Sequence, residues 1–121
     1  MPLEKININE KLSRFTDYFN PRIAGELNGQ QVKLVKFKGD FIWHKHELED
    51  EMFLVIKGSF TMELRDRSIE IREGEFIIIP KGTEHRPCAS EEVHVMLFEP
   101  VTTLNTGNKK NELTRETLDI I

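Results

Sequence analysis

An all-β barrel or sandwich is the fold class this sequence predicts, and three observations predict it. From Arg22 onward, short apolar-rich segments are punctuated by Asn28-Gly29, Lys38-Gly39-Asp40, Lys57-Gly58, Glu73-Gly74 and Pro80-Lys81-Gly82. Two segments alternate with period two: Phe60, Met62 and Leu64 against Thr61, Glu63 and Arg65, then Ile69 and Ile71 against Glu70 and Arg72. Three more, Phe53–Ile56, Phe76–Ile79 and Val95–Phe98, are apolar at every position and need cover on both faces. Six or more strands at this spacing suit a sandwich or barrel.

Each element has a local reason. Residues 1–20 differ from the rest: Leu12 and Phe15 stand three apart behind Asn9, which suits one or two helical turns. Asn28-Gly29 is the pair a two-residue hairpin turn favours, because both central positions need positive φ. A strand is expected over Phe41–His46 and another from Glu51. The alternating segments at 60–65 and 69–72 are hairpin arms with one wet face. After Thr102 the chain turns polar, with a short closing helix expected between Glu112 and Ile121. With 121 residues, positions 1–121 are expected to form one domain, its barrel core at about 22–100.

Composition narrows the function classes. The net charge is −4 and the lysines and arginines are scattered among acids, so no nucleic-acid partner is expected. The Met1-Pro2-Leu3-Glu4-Lys5 start has no secretory pattern and the longest apolar run is far too short for a bilayer, so no membrane association is expected. A single cysteine, Cys88, cannot form an internal disulfide, which fits a cytoplasmic location.

Three of the four histidines stand in a pattern. His44 and His46, one residue apart on an expected strand, point the same way. Glu51 opens the next apolar strand, and His85 follows the Pro80-Lys81-Gly82 turn. An isolated His-x-His pair is ordinary, but two adjacent imidazoles, a carboxylate and a remote imidazole make a mixed donor set for one divalent transition metal: Fe, Mn, Zn, Ni or Co rather than Ca.

At these residues the sequence resembles the cupin superfamily. Its first motif is recognisable as Gly39, four residues, His44-Lys45-His46, four residues, Glu51, six residues, Gly58; its second as Gly74, five residues, Pro80-Lys81-Gly82, two residues, His85. Fifteen residues separate Gly58 from Gly74. The resemblance implies a jelly-roll β-barrel with short helical or irregular N- and C-terminal extensions. It also implies a metal in the barrel mouth, bound by His44, His46, Glu51 and His85. The family usually has five residues between the first Gly and first His, and Asn where this chain has Ala89. Among the crowded acids, Glu51 alone holds the motif's distance to Gly58, leaving Glu47, Glu49 and Asp50 to a solvated turn.

Other residues receive plainer readings. His94 lies outside both motifs and is expected to be a satisfied strand histidine. Cys88 is expected to be a small hydrophobe, and Trp43 to point away from the ligands. By strand alternation Ile42, Phe53 and Val55 share the ligand face, with Met62 or Leu64 and Met96 or Phe98 as further pocket lining. The resemblance covers dioxygenases, sugar and sugar-phosphate isomerases of the mannose-6-phosphate isomerase type, and non-catalytic modules that bind a metal or metabolite. An apolar pocket favours a small-molecule metalloenzyme of dioxygenase or oxidoreductase type, because a phosphate dianion beside Phe and Val carries a large desolvation cost. Strands apolar on both faces also imply a homodimer.

Overall fold

The computed structural model describes residues 3–121. One short helix, α1 (Ile8–Leu12), precedes seven strands: β1 (Arg22–Leu27), β2 (Gln30–Asp40), β3 (Glu51–Lys57), β4 (Ser59–Leu64), β5 (Ser68–Arg72), β6 (Phe76–Ile79) and β7 (His85–Pro100). All strand pairings are antiparallel. The order is β1-β2-β7-β3-β6, with β5 paired to β4 and β4 to β7. This is the all-β jelly-roll expected of the chain.

The long strand β7 organises the barrel. On one edge it pairs with β2 from Cys88 to Pro100. On the other, residues 85–88 pair with β4 and residues 94–98 with β3. One strand edge serving two partners must bend between them, and Ser90, Glu91 and Glu92 are all exposed there. Before and after the bend the odd-numbered residues face inward: His85, Pro87 and Ala89, then Val93, Val95, Leu97 and Glu99. Gly58, with φ 90, passes so close to β7 that a Cβ there would sit 3.1 Å from the Glu92 carbonyl oxygen. Asn28 and Gly29 take φ 50 and 76, the turn the β1–β2 hairpin needs.

Two apolar clusters cover the two sides of the β2–β7 sheet. The inner one contains Val35, Phe37, Phe41, Phe53, Val55, Phe60, Met62, Ile71, Ile79, Val93, Val95 and Leu97. The outer one joins Leu12 and Phe15 to Ala24 and Leu34, with Ile8, Ile56, Met96 and Ile121 packed against it. Lys36 Nζ donates to the Phe15 carbonyl at 2.6 Å and lies 5.0 Å from that ring, tying the N-terminal segment to β2.

Several local expectations are corrected. The cap of α1 is Asn7 rather than Asn9: its extended backbone lets the side chain accept from Glu10 N at 2.9 Å. Residues 41–50 are irregular rather than a strand, because β2 ends at Asp40 and only His44 makes a bridge, to His85. The segment 112–121 forms turns with one parallel bridge, Ile23 to Ile120, instead of a helix. No helix among the described residues is long and apolar enough to cross a membrane.

Candidate metal centre

The site assembles where the irregular stretch after β2 meets the start of β7. His44 N donates to the His85 carbonyl at 3.1 Å and His85 N returns the bond to His44 at 2.9 Å. This reciprocal pair locks the two rings side by side, with centroids 4.3 Å apart. Gly82 N donates to the His46 carbonyl at 2.7 Å, holding the second histidine beside the turn that precedes β7. Glu51 enters as the first residue of β3, registered against Ile79 of β6. The four side chains are buried, and one ligand atom from each lies within 4.8 Å of the others.

Hydrogen bonding sets which atoms are free. His44 Nδ1 is 2.9 Å from the Ile42 carbonyl and His85 Nδ1 is 2.9 Å from the Thr83 carbonyl. A carbonyl only accepts, so both Nδ1 atoms carry the proton and both Nε2 lone pairs are left to the cluster. Glu51 Oε1 stands 3.2 Å from His46 Nε2 and 3.5 Å from His85 Nε2. Yet His46 Nδ1 and Nε2, His85 Nε2 and Glu51 Oε1 are buried without a hydrogen-bond partner. Buried polar atoms are rarely left so, and imidazole plus carboxylate donors converging in this way fit a first-row divalent ion.

Electrostatics follow from burial and from two residues that lie outside both motifs, Lys33 and Glu99. Burial, reinforced by His85, lowers His44 to about 4. Burial alone would also lower His46, but Glu51, aided by Glu49, outweighs it and raises the pKa. Behind Glu51 stands Glu99, whose Oε1 accepts from Lys33 Nζ at 2.7 Å; both side chains are buried. Burial and then the Glu51 charge push Glu99 well above the usual carboxylate range. Burial would raise Glu51 too, but the neighbouring Glu99, His46 and His85 side chains hold it well below that range. The signal for these residues was present: Lys33 precedes Val35 and Phe37 by twos, and Glu99 follows Val95 and Leu97 by twos.

The His44 shift has a measurable consequence for metal-free protein. Above pH 6.5 the ring is neutral folded and unfolded; below it the unfolded chain binds a proton that the folded site refuses until about 4. Stability is therefore expected to fall across that window, by about 3 kcal/mol at its lower end. His46 has the opposite sign, its contribution complete at low pH and lost as pH rises through its raised value. Thermal melts of chelator-treated protein should show a steeper acid loss for the wild type than for His44→Asn. Equal slopes would contradict the assignment.

The remaining acids lie elsewhere. Asp50 Oδ1 accepts from Lys81 N at 2.9 Å, Glu49 Oε2 accepts from the Thr102 hydroxyl at 2.9 Å, and Glu47 is 3.6 Å from Lys45. His94 Nε2 is 2.7 Å from Glu92 Oε2 on the even-numbered face of β7, away from the cluster. The Arg65 guanidinium covers the Trp43 ring at 3.9 Å, placing the indole outside the barrel. Cys88 is half-buried; burial, then Glu63, pushes its thiol up to about 12, so it is unreactive.

A cavity of about 30 Å³ borders His44 and Glu51, lined otherwise by Phe19, Pro21, Val35, Phe37, Phe41, Phe53, Pro87, Leu97 and Asn105. Of the expected lining residues only Phe53 reaches it. Val55 and Met62 are fully buried in the inner cluster but do not border it. Ile42 packs against that cluster and contributes its carbonyl to the site; the break after β2 puts Phe41 at the cavity instead. Met96 and Phe98 are corrected: they sit on the outer face, Met96 against the Leu12 cluster, and Leu97 takes the inner place. An open groove of about 220 Å³ reaches His46 from outside, between Glu47–Glu49 and Thr102, Leu104, Gly107 and Asn108. Its wall is held by Asn108, whose N–H donates to the Lys45 carbonyl at 2.9 Å. Gly107 approaches so closely, with φ 58, that any side chain there would collide with that carbonyl.

A small antiparallel jelly-roll carrying three buried histidines and a glutamate at one end defines a cupin-type barrel with a metal-ligating donor set. The Cupin_2 family model, described as a cupin domain, matches residues 32–100, and the chain belongs to that family. A solved cupin-2 domain protein from Shewanella frigidimarina is 45% identical, with a TM-score of 0.78 over 78% of this chain and 93% of that one. The uncharacterised protein YdbB of Bacillus subtilis (strain 168) is 36% identical over 62 residues, 50% of this chain and 55% of its own length. The 3-hydroxyanthranilate 3,4-dioxygenase of Xenopus laevis is 23% identical over 101 residues, 78% of this chain. The chain thus spans about half of YdbB and 36% of the dioxygenase.

Proposed function

We propose that this chain is a metal-dependent enzyme of dioxygenase type that acts on a small organic molecule. The observation that carries the reading is the lining of the two spaces beside the donor set, the apolar cavity at His44 and Glu51 and the groove at His46, in neither of which a Lys or Arg takes part. The buried Lys33 is engaged by Glu99. A phosphosugar in the groove would need cationic partners, and Glu47 and Glu49 flank it instead, so the isomerase reading loses its support. Similarity to a dioxygenase over 78% of the chain points the same way.

His44, His46, Glu51 and His85 would hold one divalent ion, which would supply Lewis-acid activation and, as iron, redox chemistry with dioxygen. The protein's own part is to fix the Nδ1–H tautomers of His44 and His85 through the Ile42 and Thr83 carbonyls. Glu51 adds one negative charge to the site, and the phenylalanine wall makes the cavity beside it apolar. The deciding experiment is elemental analysis of purified protein, followed by oxygen-electrode assays of Fe(II)-, Mn(II)- and Zn(II)-loaded samples against a substrate panel. Fe(II)-dependent oxygen uptake coupled to substrate loss is expected. Ligand binding without turnover under every metal would replace the enzyme by a binding module.

The partner expectation also finds support. β6 is an edge strand whose Phe76 and Ile78 are 61% and 55% exposed. An unpaired apolar edge is a pairing template. A homodimer through this edge is expected, and light scattering should show twice the monomer mass at micromolar concentration, reduced by Ile78→Lys. A monomer at high micromolar concentration would contradict it. The lone, unreactive Cys88 suits a reducing, cytoplasmic setting.

A further inference from the structure

The inner cavity is lined in part by a residue that belongs to no strand. Phe19 precedes β1 and adopts φ 57, a left-handed conformation uncommon for a bulky side chain. Its N–H donates to the Lys36 carbonyl at 2.9 Å. Its neighbour Tyr18 donates its hydroxyl to Glu92 at 2.8 Å. Held in this way, the Phe19 ring stacks on Phe37 at 5.2 Å and on Phe41 at 5.0 Å. The strained backbone is thus fixed from both sides, with the phenyl group delivered into the barrel end beside His44 and Glu51.

Asn105, another non-strand residue at the cavity, has both of its side-chain polar atoms engaged. Its Nδ2 donates to the Leu113 carbonyl and its Oδ1 accepts from Arg115 N, both at bond length. A ligand inside therefore meets hydrocarbon everywhere except at His44 and Glu51. A volume of about 30 Å³ holds one or two water-sized spheres, or one diatomic molecule. The groove on the His46 side is several times larger and open to solvent, flanked by Glu47 and Glu49.

We propose that Phe19 is a specificity-determining residue that reserves the inner cavity for a dioxygen-sized apolar ligand and confines ring-sized organic substrate to the outer groove at His46. This rests on the dioxygenase reading for the identity of the gas, but the size limit itself is a property of the metal-free barrel. Apolar cavities take up xenon, and benzene when they are large enough. Replacing Phe19 by Gly removes the ring and suits φ 57; Phe19→Leu shortens the plug while keeping an apolar cover.

The test uses crystals and melts of metal-free protein. Xenon-pressurised wild-type crystals should show xenon between Phe19, Phe37 and Phe41, and benzene soaks should leave that place empty. Phe19→Gly should admit benzene there and gain several degrees in Tm in benzene-saturated buffer, as a ligand bound only by the folded state requires. Phe19→Leu should fall between, and serves if the glycine variant does not fold. Benzene in the wild-type cavity, xenon exclusion, or a benzene response equal in wild type and Phe19→Leu would each overturn the proposal. With Fe(II)-loaded protein that turns over, Phe19→Trp should raise the KM for oxygen at least fivefold while the KM for organic substrate stays within twofold. Failure of the dioxygenase reading would appear instead as absent oxygen uptake with the xenon and benzene results intact.

Discussion

Replacing His85 by alanine is expected to lower the affinity for a divalent transition metal by more than about 100-fold, beyond the loss typical of an outer partner of a ligand. His85 is wholly buried, and its Nε2 has no hydrogen-bond partner while Nδ1 is committed to Thr83. Removing it deletes a donor and also leaves Glu51 Oε1 with His46 alone among the imidazoles within 4 Å. His44→Ala should act alike, although it also loses the edge contact with Phe41 at 5.3 Å between ring centroids. Glu51→Gln is the sharper probe, because it keeps the shape and removes the charge; affinity should fall while the fold is retained. His94→Ala, on the far face of β7, should bind metal as the wild type does. Competition with a chromophoric chelator reads all four variants. Wild-type affinity in the His44→Ala/His85→Ala double variant would remove the site.

The cluster was readable because its members carry rare chemistry at fixed intervals. His44, His46, Glu51 and His85 stand at motif distances from Gly39, Gly58 and Gly74, and those glycines lie where the backbone turns with positive φ. The strands were readable for a similar reason, since alternation such as Phe60, Met62, Leu64 follows directly from the pleat. What could not be read depends on contacts distant in sequence. Residues 41–46 look like a strand, but after Asp40 the pairing with β7 shrinks to the Phe41–Pro87 hydrogen bond and the single His44–His85 bridge. Phe19 reaches the cavity from outside the barrel through the Lys36 carbonyl, and no periodicity announces that. Met96 and Phe98 were misplaced by one position, and one position on a strand reverses the face. Counting by twos from His85 through the exposed bend leads to Leu97, and then to Glu99.

The same count bears on the largest stability effect the structure implies. Lys33 and Glu99 are each almost fully inaccessible and meet at 2.7 Å, and Glu99 stands against Glu51. One ammonium thus pairs with Glu99, which in turn stands against the Glu51 carboxylate. Lys33→Met keeps the volume and removes that charge, leaving Glu99 buried beside Glu51 without its cation. Loss of one partner from a buried pair costs about 3–5 kcal/mol, whereas replacing both partners by apolar groups is close to neutral. Metal-free Lys33→Met is therefore expected to lose about 3–5 kcal/mol in urea melts, and Lys33→Met/Glu99→Leu to recover most of it. Metal should rescue the single variant in part, because a divalent ion at Glu51 restores positive charge on the opposite side of that carboxylate. A loss below about 1 kcal/mol for Lys33→Met, or a double variant as unstable as the sum of its parts, would show that Lys33 only packs. Recovery in the double variant without recovery of metal affinity would separate the two roles: the pair's charge balance holds the barrel, while Glu99 holds Glu51 in place for the ion.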